Sequence, residues 1–201
     1  MIPVLVLVAA YLIGNIPFGY LLVKLKSGQD VRELGSGNIG ATNVLRTSGR
    51  FLGIATLLLD RAKGLAAVWI ADRLTHGSAL WMSAAVLAVM AGHAFPVFLR
   101  FRGGKAVASF VGAFAYLTPV PLLSTLVVFV IVVAITRYIS MGSIIACGCF
   151  PLAVFLIDHP PAPVLTAALI AAAFIVYRHK SNVERIRAEN EHVFTLGRRR
   201  S

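Results

Sequence analysis

In the stretch GSGNIGATN, residues 35–43, glycines alternate with the hydroxyls of Ser36 and Thr42 and the amides of Asn38 and Asn43. Glycine lets the backbone turn its N–H groups toward a ligand and short polar side chains add donors beside them, so the segment is suited to an oxyanion. Arg46 follows shortly after. A loop that uses glycines only to turn between helices would look the same in isolation, but three further segments favour anion binding. In GHAFPVFLRFRGGKAVAS, residues 92–109, Gly103, Gly104 and Lys105 lead into an apolar helix, where free N–H groups, the positive end of a helix dipole and an ammonium can meet one phosphate. ISMGSI brings Ser140 and Ser143 to the start of another helix. YRHKSNVER spaces Arg178, His179, Asn182 and Arg185 to share one surface if the helix there continues.

Gly35, Gly37 and Gly40 also have the Gly-x-Gly-x-x-Gly spacing of a dinucleotide-binding turn, with Asp60 at about the distance of a ribose-binding acid. The context rejects that assignment. Such a turn follows a buried strand, whereas KLKSGQDVREL is polar and charged, and Asp60 lies inside an apolar segment.

The elements that must position these groups are hydrophobic helices. Apolar residues make up 58% of the chain and charged residues 13%, against about 25% charged in soluble proteins, and the mean hydropathy is +0.83. Apolar stretches at 2–23, 51–71, 78–98, 106–117, 119–136, 143–157 and 162–177 are predicted membrane helices, several of them shorter than the ~20 residues of a full crossing. The fourth and fifth form one run divided by Pro119 and Pro121, which resist helix continuation. With seven spans and a periplasmic N-terminus, the basic loops and tail collect on the cytoplasmic side and Arg73 alone stays outside; joining the two segments would send the basic tail outward, against the positive-inside rule. The expectation is an all-α integral membrane protein of seven transmembrane helices, one domain over residues 1–201, with a cytoplasmic C-terminus. The net charge of +11 is then topological and implies no nucleic acid. The first stretch lacks a basic leader and is read as a retained helix.

Asp60, Arg61 and Lys63 interrupt the second stretch. Ionisable residues there need a reason; Asp60 and Lys63, three apart, can pair on one helical face, and a structural pair, support for the inner loops and an ion pathway all remain open. His93 reads as a structural hydrogen-bonding residue, Cys147 and Cys149 as packing residues, and the arginines at 198–200 as topology and anionic-lipid attraction. Nothing in the pattern requires a metal or a cofactor. All four polar segments fall on the inner side, as suits an enzyme acting on an amphiphile at one interface. The alternative, an anion or phosphate transporter using the same basic loops, would place polar residues through the depth of several helices.

GSGNIGATNVLR, GHAFPVFLRFRGGKAVA and RHKSNVER resemble the three inner-face motifs of the bacterial acyl-phosphate:glycerol-3-phosphate acyltransferases, and YLIGNIPFGYLL and DRAKG are similar to further stretches of that family. The resemblance covers nearly the whole chain, with motifs at 35–46, 92–109 and 178–191. It implies an inner-membrane enzyme with its active site on the cytoplasmic side, transferring a fatty acyl group from acyl-phosphate to the sn-1 hydroxyl of glycerol 3-phosphate. The products are lysophosphatidic acid and phosphate, and neither coenzyme A nor acyl carrier protein is the donor. By this analogy Ser36, Asn38, Thr42, Asn43, Arg46, Gly103, Gly104, Lys105, Ser143, His179 and Asn182 bind the two phosphates. Ser36, Lys105, His179 and Asn182 are the catalytic candidates, with His179 either a base or an orienting group, and Asp60, Lys63, His93 and Arg185 are supporting. Acyl-phosphate is a mixed anhydride with a good leaving group and no serine lies in a Gly-x-Ser-x-Gly context, so direct transfer by a monomer in membrane lipid, without an acyl-enzyme, is expected. The third motif of that family commonly runs Asn-x-x-Arg-x-x-x-Gly-x-Glu; Asn182, Arg185 and Glu191 fit, but Glu189 stands in the glycine place.

Overall fold

The computed structural model describes residues 1–194, so the arginines at 198–200 lie outside the described residues. Every element among the described residues is helical, and each of the apolar stretches becomes helix: α1 (Ile2–Asn15) and α2 (Phe18–Ser27), then, after the short α3 (Ala41–Ser48), α4 (Arg50–Thr75), α5 (Ala79–Ala94), α6 (Val107–Leu117), α7 (Pro119–Thr136), α8 (Ile139–Asp158) and α9 (Ala162–Arg178), followed by α10 (Lys180–Arg187). By length and composition, Ile2–Ser27, Ala79–Leu99, α7 and α8 can each cross a membrane, and α9 with α10 makes a fifth if that pair counts as one bent span. The chain forms two compact units, Met1–Leu117 and a second beginning at Thr118, where the long apolar run is cut. Pro119 opens α7 at its first position, where the missing N–H has no intrahelical partner to lose.

The first unit is organised around α4, whose buried positions Thr56, Asp60, Lys63, Ala67 and Ala71 recur at helical spacing. Asp60 and Lys63 therefore lie on the inward stripe, while Arg61 is exposed. α1 packs on α5 and α4 on α6, at backbone separations that only small residues permit. A Cβ on Gly14 would meet the Val89 carbonyl, and one on Gly64 the Ser109 carbonyl. Between membrane helices, where lipid is as apolar as the side chains, such close packing replaces the hydrophobic effect as the source of cohesion.

Pro17 cannot donate a backbone hydrogen bond and disfavours helix in the residue before it, so α1 stops at Asn15 and its last carbonyls lose their partners. Lys63 supplies new ones. Its ammonium donates to Gly14 O (3.0 Å) and Ile16 O (2.9 Å) and forms an ion pair with Asp60 Oδ1 at 2.8 Å. Asn15 Nδ2 donates to Tyr11 O at 2.8 Å. The Asp60–Lys63 pair anticipated from spacing forms, and its lysine also closes a broken helix end in an apolar interior.

In the second unit α7 packs on α8 and α8 on α9. The condition for Arg178, His179, Asn182 and Arg185 to share one helical surface, a helix continuing through them, is not met. α9 ends at Arg178, and the chain bends by 48° into α10.

Replacing Lys63 with leucine leaves Asp60 buried without its counter-ion and the Gly14 and Ile16 carbonyls without donors. The expected loss is about 3–5 kcal/mol, read as a lowered thermal midpoint in detergent; an unchanged midpoint would remove Lys63 from this role.

Candidate functional site

The glycine loop is built by side chains that turn inward. Asp30 opens a 3-10 turn, Val31–Glu33, by accepting the backbone N–H of Arg32 at 2.9 Å, and the Arg32 guanidinium returns to the same carboxylate at 2.6 Å. This hydrogen bond from Arg32 is the main reason the Asp30 carboxyl titrates below its ordinary value. Asn43, buried in the first turn of α3, donates through Nδ2 to Asn38 O (2.8 Å) and Leu34 O (3.0 Å) and accepts the Ser36 N–H at Oδ1 (2.9 Å). Asn38 Oδ1 accepts the Gly40 N–H at 2.8 Å. Gly35 and Gly37 take φ of +56° and +70°, the left-handed region where glycine carries no steric cost. The side chains of Asn43 and Asn38 thus shape the loop. Ser36 in the loop and Thr42 in the first turn of α3 are half-buried, and Arg46 is exposed in that helix's last turn.

The second glycine segment folds back on the end of α5. Gly103 N–H donates to Ala94 O and Gly104 N–H to His93 O, both at 3.1 Å. The expectation that these two N–H groups are free to hold a phosphate is therefore corrected: they bond within the chain. Both positions are glycine because there is no room for a side chain. A Cβ on Gly103 would strike His93 O and Pro96 Cδ, and one on Gly104 would strike the His93 imidazole at Nε2. Arg100, Phe101 and Ala106, though not glycines, take φ of 53°, 62° and 62°, strain that persists only where surrounding structure holds it. Lys105 lies between the paired glycines and α6.

Both segments rest on one apolar core. Val23 of α2, Val31, Ile39 of the glycine loop, Val44 of α3, Leu52 of α4 and Leu99 of the turn before Arg100 pack as a single cluster. The loop bearing Lys105 is further tied to α1, where Asn15 Oδ1 accepts the Val97 N–H at 2.6 Å and the Tyr11 hydroxyl donates to Phe95 O at 2.8 Å. Asn15 and Tyr11 escaped the sequence reading; the only signal was the proline break of IGNIPFG, which announces carbonyls and turns that need partners.

In the second unit the start of α8 and the short helix α10 are joined by Glu191. Its Oε1 accepts the Asn182 amide at 2.7 Å and the Ser140 hydroxyl at 2.8 Å, and its Oε2 accepts Arg185 Nε at 2.7 Å. Burial by itself would raise this carboxyl; the bonds from Asn182, Ser140 and Arg185 outweigh it and hold Glu191 below its ordinary value. The chain reaches this position through the end of α10, where Glu189 N–H bonds Ile186 O and Asn190 N–H bonds Arg185 O, with Glu189 at φ +56°. That is a Schellman turn, and the residue standing where glycine is common takes the conformation glycine favours. His179, buried at the bend, places Nδ1 at 2.7 Å from Ile175 O, so Nδ1 carries the hydrogen and Nε2 is the acceptor of the neutral ring. Ser143 Oγ donates to Ile139 O at 3.0 Å.

Residues 4–189 match the family model described as glycerol-3-phosphate acyltransferase. A protein of that name from Trichlorobacter lovleyi is 48% identical over 187 residues, 92% of this chain and 94% of that protein, and one from Geobacter sulfurreducens is 45% identical over 185 residues, with the same coverages. The crystal structure of PlsY (YgiH), an integral membrane glycerol 3-phosphate acyltransferase, in its glycerol 3-phosphate form superposes with a TM-score of 0.91 at 37% identity, covering 96% of each chain. Its lysophosphatidic acid form gives 0.86 at 35% identity, covering 96% of this chain and 95% of that one.

Two outcomes follow for the tail. Glu189→Gly relieves a left-handed glutamate and should raise stability by about 1 kcal/mol, measured by thermal melting; a loss of stability would show that the turn is not strained. A carboxyl depressed in the folded state adds stability that is present above the unfolded value, 4.5 for Glu191, and is lost as pH falls through the folded value. Melting temperature should therefore drop on acidification below that range, and Glu191→Gln should flatten this part of the profile; identical profiles for the two proteins would contradict it.

Proposed function

Since the chain belongs to the glycerol-3-phosphate acyltransferase family, it is a membrane acyltransferase of phospholipid synthesis, and we infer that its donor is acyl-phosphate and that the acyl group passes directly to the sn-1 hydroxyl of glycerol 3-phosphate. The observation that carries this inference is the common core beneath two polar segments, with Ile39 and Val44 on one side and Leu99 on the other. Two phosphorylated reactants need two anion sites. Ser36, Thr42, Arg46 and Lys105 are assigned to direct phosphate contact, and Asn38, Asn43, Gly103 and Gly104 to the shape of the loops that present them. In the second unit His179, Asn182 and Ser143 are assigned to phosphate by their residue types, Ser143 by turning its hydroxyl away from the Ile139 carbonyl.

Acyl transfer here needs positioning and charge stabilisation more than covalent help. The substrate hydroxyl oxygen attacks the acyl carbonyl, the bond from that carbon to the phosphate oxygen breaks, and phosphate leaves with the electron pair. His179 Nε2 accepts the hydroxyl proton, as the Nδ1–H bond to Ile175 supports. The apolar helices and the one-sided distribution of lysine and arginine support seven spans in a bacterial inner membrane, with a periplasmic N-terminus and the phosphate-handling segments on the cytoplasmic side. The enzyme acts as a monomer.

Purified protein in lipidic medium with acyl-phosphate and glycerol 3-phosphate should release phosphate in step with lysophosphatidic acid. Lys105→Ala, by removing a charge-assisted contact of about 1.5–3 kcal/mol, should lower kcat/KM roughly 10- to 150-fold, and His179→Ala should lower kcat about 100-fold. A raised KM with normal kcat in the histidine variant would exclude the base role. Equal turnover with a coenzyme A thioester, or an acyl group trapped on Ser36 or Ser143, would overturn the donor or the direct transfer.

A further inference from the structure

His93 is the point at which the buried charges of α4 meet the second glycine segment. Its Nδ1 lies 3.6 Å from Asp60 Oδ1 and 3.4 Å from the hydroxyl of Ser109, in the first turn of α6. Its other ring nitrogen, Nε2, is the atom that a Cβ on Gly104 would strike. Asp60, Lys63, His93 and Ser109 are all buried, and Lys63 ties Asp60 to the broken end of α1. A buried ion pair adds little to stability compared with apolar residues of the same volume, so its use here is better explained by what it holds in place. What it holds is the loop that leads, through the left-handed Ala106, into α6.

We propose that Asp60 and His93 are positioning residues for phosphate binding: Asp60, anchored by Lys63, sets the imidazole of His93, and the imidazole is the surface on which Gly104 rests, so that Lys105 is presented at a defined height. The proposal rests on the assignment of Lys105 to a substrate phosphate. A methyl group at Gly104 should then displace the loop, and removing the imidazole should make room for that methyl group.

The test compares Gly104→Ala, His93→Ala, the double variant and Lys105→Ala in lipidic medium, each by melting temperature, by kcat and KM, and by inhibition with inorganic phosphate. Gly104→Ala should lose roughly 100-fold in kcat/KM, the scale expected when a reacting group is misplaced by about an ångström. His93→Ala should weaken phosphate inhibition along with KM, which a merely structural role would not do. The double variant should fall within about threefold of His93→Ala, since residues in contact couple rather than add. If Gly104→Ala alone does not fold, recovery of folded protein in the double variant is the same evidence. Effects that multiply in activity and add in melting temperature, or a double variant that folds no better than Gly104→Ala, would overturn the proposal. Lys105→Ala separates the two assignments: full activity in that variant refutes the phosphate contact, while coupling between positions 93 and 104 in melting temperature still decides the contact itself.

Discussion

A helix that stops inside an apolar medium leaves carbonyls that water cannot reach, and each unsatisfied one costs several kcal/mol. The break at Pro17 creates that situation, and the Lys63 ammonium resolves it by donating to Gly14 and Ile16 while pairing with Asp60. Much of the first unit depends on this contact. It sets where α2 departs, it supplies the reason for charge on the inward stripe of α4, and through Asp60 it reaches His93 and the glycine segment folded against that ring. Here the ammonium is buried against the carboxylate and the backbone carbonyls.

The two glycine segments solve a common problem in different ways. In the first, Asn43 and Asn38 replace regular secondary structure, gathering carbonyls and N–H groups of residues 34–40 around their amides. In the second, the backbone itself is the ligand of the neighbouring helix end, with Gly103 and Gly104 bonded to Ala94 and His93. Asparagine is consequently scaffold in the first loop and glycine in the second, and hydroxyls and cations are the groups suited to an incoming phosphate. Division of labour of this kind is what a reaction governed by orientation requires, because a donor helps only where its own position is already determined.

The second unit carries its polar groups on a bend rather than on a helical face. His179 occupies the bend, and Glu191 gathers Ser140, Asn182 and Arg185 from two helices. Glu189 shows how a family pattern can change in letter and not in geometry. Glycine is common there because the Schellman turn needs a left-handed residue, and glutamate meets the need at some cost in strain.

Composition and hydrophobic run length were enough to announce helices in a membrane, and the glycine, hydroxyl and lysine spacings were enough to raise the expectation of an anion chemistry. Both are local properties: helix period and turn chemistry are set within a few residues. What the sequence left open was the use to which each polar group is put. Lys63 meets a carbonyl 49 positions away, Asn15 an amide 82 away and Ser140 a carboxylate 51 away, and no periodicity encodes such pairs. Only folding decided that Gly103 and Gly104 donate to the end of α5, that Asn43 holds the first loop together, and that the helix bends at His179, because each of these depends on which group the tertiary fold brings within hydrogen-bonding reach.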